Sequence, residues 1–178
     1  MFGSIPLNPE TLIGAAAAAV SLLGALMTYL ISMRQTRVNV ENLKFSNDTA
    51  VIGWANRAVA MMAEAQELAR AHSQLEPTFL AGRQIGIAHG LSALVDEGRW
   101  YFPNSGKKDG DDAVPSAYRG HRQRILDHIV ATYDAVHGLT GPDIAERIAT
   151  ERRSFVSKVQ QAVDPSRRQW IMERFGKY

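Results

Sequence analysis

From Thr11 to Met33 the chain carries no charged side chain, and the run reads TLIGAAAAAVSLLGALMTYLISM. As a helix rising roughly 1.5 Å per residue, it reaches across a hydrocarbon core of about 30 Å. Its first half is rich in alanine and only moderately apolar. Leu22, Leu23, Leu26, Leu30 and Ile31 strengthen the second half, and Tyr29 stands where an amphipathic ring favours the membrane interface. The run therefore predicts a transmembrane helix, with membrane lipid as its first partner.

Two other readings of such a run fit less well. A cleaved signal peptide opens with a basic stretch, and MFGSIPLNPE contains neither Lys nor Arg. A buried core helix is usually shorter and broken by polar residues. Arg34, Arg37 and Lys44 follow the run closely, whereas Glu10 is the one charge ahead of it. Basic flanks stay in the cytoplasm, so the expectation is a single-pass protein of a cell inner membrane, N-terminus outside and C-terminal part inside. Gly14 with Ala18, and Ala17 with Ser21 and Ala25, place small residues four apart, as in helix pairs packed in lipid. An alanine-rich helix produces that spacing by chance, so a homo-oligomer through the anchor is possible without being required.

The bulk composition excludes more than it assigns. A net charge of +2 is too small for a nucleic-acid binder, although the mild basic excess lies entirely after the apolar run. That excess suits a domain near an anionic leaflet. With no cysteine, disulfides, thiolate metal sites and cysteine nucleophiles are all ruled out.

After Met33 the pattern is helical throughout. Residues 34–48 read as a polar stalk with scattered Val38, Val40, Leu43 and Phe45. Either the anchor helix runs on through them, or Ser46, Asn47 or Asp48 caps a new helix near Thr49. Ala55, Ala58, Met62, Ala65 and Ala69 form one stripe of the next helix, beside Val51, Trp54, Met61 and Leu68. Pro77 opens a further helix that should stop at Gly98. Gly82, Gly86 and Gly90 recur within it at four-residue spacing, which predicts close contact with the alanine stripe. A charged loop, SGKKDGDDAVP, is expected to be mobile. Ser116 then caps a helix reaching His137, with Ile125, Leu126, Ile129, Val130, Tyr133 and Val136 on its apolar face. Gly141-Pro142 opens the last long helix, whose narrow apolar face holds Ile144, Ile148, Phe155, Val159 and Val163. A short amphipathic tail with Trp170, Ile171 and Phe175 follows Asp164-Pro165. No segment alternates with a period of two. The fold expected is all-α: a 1–10 extracytoplasmic tail, an 11–33 transmembrane helix, a 34–48 juxtamembrane stalk and a 49–178 cytoplasmic bundle of four to five helices.

Chemistry is scarce. Arg99, Arg119, His121, Arg122 and Arg124 sit at the two ends of the charged loop and meet if the flanking helices are neighbours. Guanidinium forks bind phosphate and carboxylate bidentately, so these five are the candidate anion site. The plainer reading is that they pair with Asp96, Glu97, Asp127 and the loop acids. Trp100, Tyr101 and Phe102 form an aromatic triplet that reads as a plug for the end of the bundle, a partner-binding hot spot, or a group dipping into the membrane interface. Asp109, Asp111 and Asp112 lack the glycine and closing glutamate of a calcium loop. His121 and His128 lie seven apart, on one helical face, but bring no further ligands for zinc. Neither a metal nor a cofactor is expected. Nucleophile-elbow, Walker and dinucleotide-binding patterns are all absent.

The segments GRWYFPN (98–104), AYRGHRQRILD (117–127) and WANRAVAMMAEA (54–65), together with the anchor, resemble a group of small bacterial membrane-anchored proteins without an assigned activity. The resemblance implies a bacterial source and an anchor, and transfers no functional residue. The expectation that remains is a membrane-tethered scaffold or interaction module, without evident catalysis, contacting another membrane or cytoplasmic protein. The alternative is a phosphate-binding sensor or an enzyme built on the arginine cluster.

Overall fold

The computed structural model describes residues 9–108, 110–138 and 142–163. The 1–8 part of the predicted tail, Asp109, Gly141 and the 164–178 segment lie outside them. All regular structure among the described residues is helical. Four α-helices, α1 (Pro9–Ala71), α2 (Pro77–Tyr101), α3 (Arg124–His137) and α4 (Pro142–Val163), are joined by three short 3-10 turns, and one isolated β-bridge links Ser105 to His121. The chain divides after Ser46 into two units.

In the first unit, α1 is long and apolar enough to cross a membrane. Its large apolar side chains are exposed on every side, from Phe45 at 42% to Leu22 at 75%. The hydroxyls along it are satisfied within the helix. Ser21 donates to the Ala17 carbonyl at 2.9 Å, Thr28 to Gly24 at 2.8 Å and Thr36 to Ser32 at 3.0 Å. A hydroxyl that returns its proton to the preceding turn leaves no donor to be desolvated in an apolar medium. Helical structure continues through Ser46, Asn47 and Asp48, so none of the three starts a new helix.

The second unit holds one hydrophobic core shared by α1, α2, α3 and α4. The alanine stripe is buried as its periodicity predicts, with Ala58, Met62 and Ala65 fully enclosed. Ile87, Leu91 and Leu94 of α2, Leu126, Ile129 and Val136 of α3, and Ile148 and Phe155 of α4 fill the interior against it. Trp54 lies at the centre, fully buried. Its indole N–H donates to the Leu94 carbonyl at 2.8 Å. Burying so large a ring is favourable only when its one polar atom finds an acceptor.

Three expectations change. Helix α2 passes Gly98 and ends at Tyr101. Gly98 is buried, and a Cβ there would lie 2.5 Å from Leu126 Cδ2 and 2.7 Å from Trp54 Cζ2. The residue serves close approach and not helix termination. The glycine series Gly82, Gly86 and Gly90 also does not act together: a Cβ on Gly90 would meet Met61 Cε at 2.6 Å, whereas Gly82 and Gly86 face open space. Two interior glycines each costing about 1 kcal/mol relative to alanine meet no compensating contact among the described residues. Finally, Ser116 does not cap a long helix. It opens a 3-10 turn ending at Tyr118, and α3 starts only at Arg124 because Gly120, at φ +81°, turns the chain so that His121 can pair with Ser105. His121 and His128 therefore do not share a helical face.

Candidate functional site

The end of α2, the segment after it and the first residue of α3 carry every candidate residue, and their geometry begins with the last turn of α2. The aromatic triplet divides. Tyr101 and Phe102 are half-buried against the core, their ring centroids 6.1 and 5.6 Å from that of Trp54, with Phe155 at 5.4 Å completing the cluster. Trp100, on the opposite side of the helix, is 80% exposed.

The segment 103–121 is closed on itself by polar contacts. Ser105 and His121 exchange backbone hydrogen bonds of 3.0 and 2.7 Å. The Asp111 carboxylate accepts the Gly120 N–H with both oxygens at 3.0 Å, and the Lys108 N–H at 2.7 Å. These two amides, Gly120 first, hold its pKa below the ordinary aspartate value. A loop expected to be mobile is thus fastened at its middle by one of its own acids, a role the sequence reading did not assign to Asp111.

The five predicted basic residues are distributed over this loop rather than gathered at one point. Arg99 is mostly buried. Its guanidinium lies 4.5 Å from the Tyr118 ring centroid and donates to Asn104 at 3.0 Å, and its Nε lies 3.5 Å from Asp96 without a hydrogen bond. Tyr118 in turn donates to Asp96 at 3.2 Å. With Trp100, Pro103 and Ser116 these residues line a depression of about 370 Å³. Arg119 donates to the Val114 carbonyl at 3.0 Å. His121 serves the bridge through its backbone.

Arg122 and Arg124 line a different depression, of about 510 Å³, beside Phe102, Gln123, Lys158 and Gln161. Arg122 also donates to Asp127 at 2.6 Å, and Lys158 to Gln161 at 3.2 Å, while Arg124 has no partner among the described residues. Lys158, thirty-four residues beyond Arg124 on α4, is the member that spacing could not have supplied. Gln123 precedes α3 without a side-chain cap, donating instead to Pro103 and Ser105 at 3.2 Å. Glu97, one of the acids expected near Arg99, pairs with Arg57 of α1. His128, on α3, lies 2.7 Å from Glu151 of α4.

Among the described residues no group of three or more His, Asp or Glu side chains could hold a metal ion. The chemistry on display is donor-rich: guanidinium and ammonium groups suited to anions. Set against protein-family models, curated proteins and solved structures, the chain matches none of them.

Proposed function

We propose that the chain is a single-pass protein of a bacterial inner membrane, anchored by residues 11–33, with its N-terminus outside and its helical domain in the cytoplasm. The domain works there as a non-enzymatic interaction module. The observation that carries this reading is the first unit of α1, whose apolar surface is open all round while its hydroxyls bond back to their own helix. In water such a surface needs a cover, and a lipid phase supplies one. Arg34, Arg37 and Lys44 after the run support the orientation. The cysteine-free chain allows a clean test with single Ser4→Cys and Ser73→Cys variants. The protein should stay with membranes through alkaline carbonate washing. A membrane-impermeant maleimide applied to spheroplasts should label position 4 and spare position 73 until the cells are lysed. Release by carbonate, or the reverse labelling, overturns the assignment.

A second reading is supported by the depression that gathers Arg122, Arg124 and Lys158: an anion, with phosphate as the simplest form, held at the start of α3. Inorganic phosphate should raise the melting temperature of the full chain in mild detergent. Arg124→Ala and Lys158→Ala should each remove that rise, and an unchanged melting temperature in the parent protein refutes the reading.

A further inference from the structure

Where the uncharged run of α1 ends, its apolar surface passes directly into a pair of cations. Arg34 and Arg37 line one depression of about 390 Å³ together with Met27, Leu30, Ile31 and Met33. Helical spacing explains the grouping. Met27, Leu30, Ile31 and Arg34 stand at i, i+3, i+4 and i+7, which is one face of a helix. Arg37, three residues beyond Arg34, lies beside it, their Cβ atoms about 5–6 Å apart. All six side chains are exposed. The depression is thus apolar at one end and doubly cationic at the other, and the change takes two turns, about 10 Å of rise, from Met27 to Arg34.

Nothing among the described residues answers either end. Neither guanidinium makes an ion pair or a side-chain hydrogen bond, although Glu41 follows Arg37 at the four-residue spacing that allows one. Leu30 and Ile31, at 47% and 58% exposed, are equally uncovered. The occupant must bring anionic oxygens to one end and hydrocarbon to the other. A soluble phosphate answers only the arginines, and a neutral acyl chain answers only the apolar end. An anionic phospholipid carries both in the required order, with its phosphate at the edge of the hydrocarbon and its chains running inward. Two guanidinium forks can grip one phosphate while their stems stay on apolar surface. A zwitterionic lipid offers the same phosphate but adds an ammonium group that the arginines repel. We propose that Arg34 and Arg37 hold the phosphate of an anionic phospholipid, one acyl chain of which lies along Met27, Leu30 and Ile31. The proposal rests on the anchoring by residues 11–33 and adds to it a preferred lipid.

The test gives the full chain, in mild detergent, equal amounts of phosphatidylglycerol and phosphatidylcholine with matched chains. Native mass spectrometry counts the bound lipid of each kind, and phosphatidylglycerol should be retained in excess. Arg34→Gln and Arg37→Gln should each cut that excess about fivefold, the effect of removing one cation beside an anionic headgroup. Lys44→Gln removes the same charge about 10 Å further along the helix than Arg37 and should leave the excess nearly unchanged. Glycerol phosphate, which carries the phosphate without the chains, should not displace the lipid at equal concentration. Four results overturn the proposal: no excess of phosphatidylglycerol, an excess that survives both arginine variants, a loss from Lys44→Gln equal to theirs, or displacement by glycerol phosphate. The third makes the preference a diffuse surface field, and the fourth makes the ligand a soluble anion. Carbonate washing separates this failure from failure of the anchor. A protein that resists the wash without a lipid preference keeps the anchor and loses the site, whereas release by the wash removes both.

Discussion

One substitution type, glycine to alanine, has opposite consequences at two positions of the same helix. At Gly86 a methyl group meets open space, so the gain is the helix propensity alone, about 0.8–1 kcal/mol. At Gly98 the methyl arrives 2.5 Å from Leu126 Cδ2 and 2.7 Å from Trp54 Cζ2. Leucine can rotate away, but the indole is held by its 2.8 Å hydrogen bond to Leu94 and by rings on three sides. Overpacking of a core usually costs about 1–3 kcal/mol. After the propensity gain, Gly98→Ala should destabilise by about 1–2 kcal/mol. Guanidinium unfolding of the full chain in mild detergent, followed by tryptophan fluorescence at a concentration too low for association, measures both variants. The midpoints should move apart, with an unchanged slope for each. If Gly98→Ala is neutral or stabilising, the packing of α2 against Trp54 described above is wrong.

Other perturbations test other parts of the structure. Trp54→Phe removes the indole donor and leaves the Leu94 carbonyl with its helical partner alone; the same unfolding assay should show a loss of about 0.5–1.5 kcal/mol, and no loss refutes the bond. Leu23→Arg places a charge near the middle of the apolar run, costing about 2.5–3.5 kcal/mol for insertion, and should shift the protein out of the carbonate-resistant fraction. The lowered pKa of Asp111 means that its carboxylate steadies the 103–121 loop above the ordinary aspartate range, and that this contribution disappears as pH falls through the lowered folded value. The amide resonance of Gly120 should therefore titrate with a midpoint below that of an ordinary aspartate, and an ordinary midpoint refutes the contact.

The parts of the fold that periodicity controls were legible in the sequence. The alanine stripe of α1 and the apolar faces of α3 and α4 are buried where their 3.6-residue spacing placed them, because a helix buries whichever face is continuous. What periodicity could not carry was the use made of single glycines and loop acids. Gly98 reads as a helix terminator in sequence, but its missing side chain makes room for Trp54, forty-four positions earlier. Ser116 reads as a cap, but Gly120 and the Asp111 carboxylate turn the chain before a helix can form. The basic cluster separates for the same reason. With residues 119–123 turned at Gly120 rather than helical, Arg99 is drawn to Asn104 and Tyr118, while Arg122 and Arg124 reach toward α4. Lys158 joins them through tertiary packing alone.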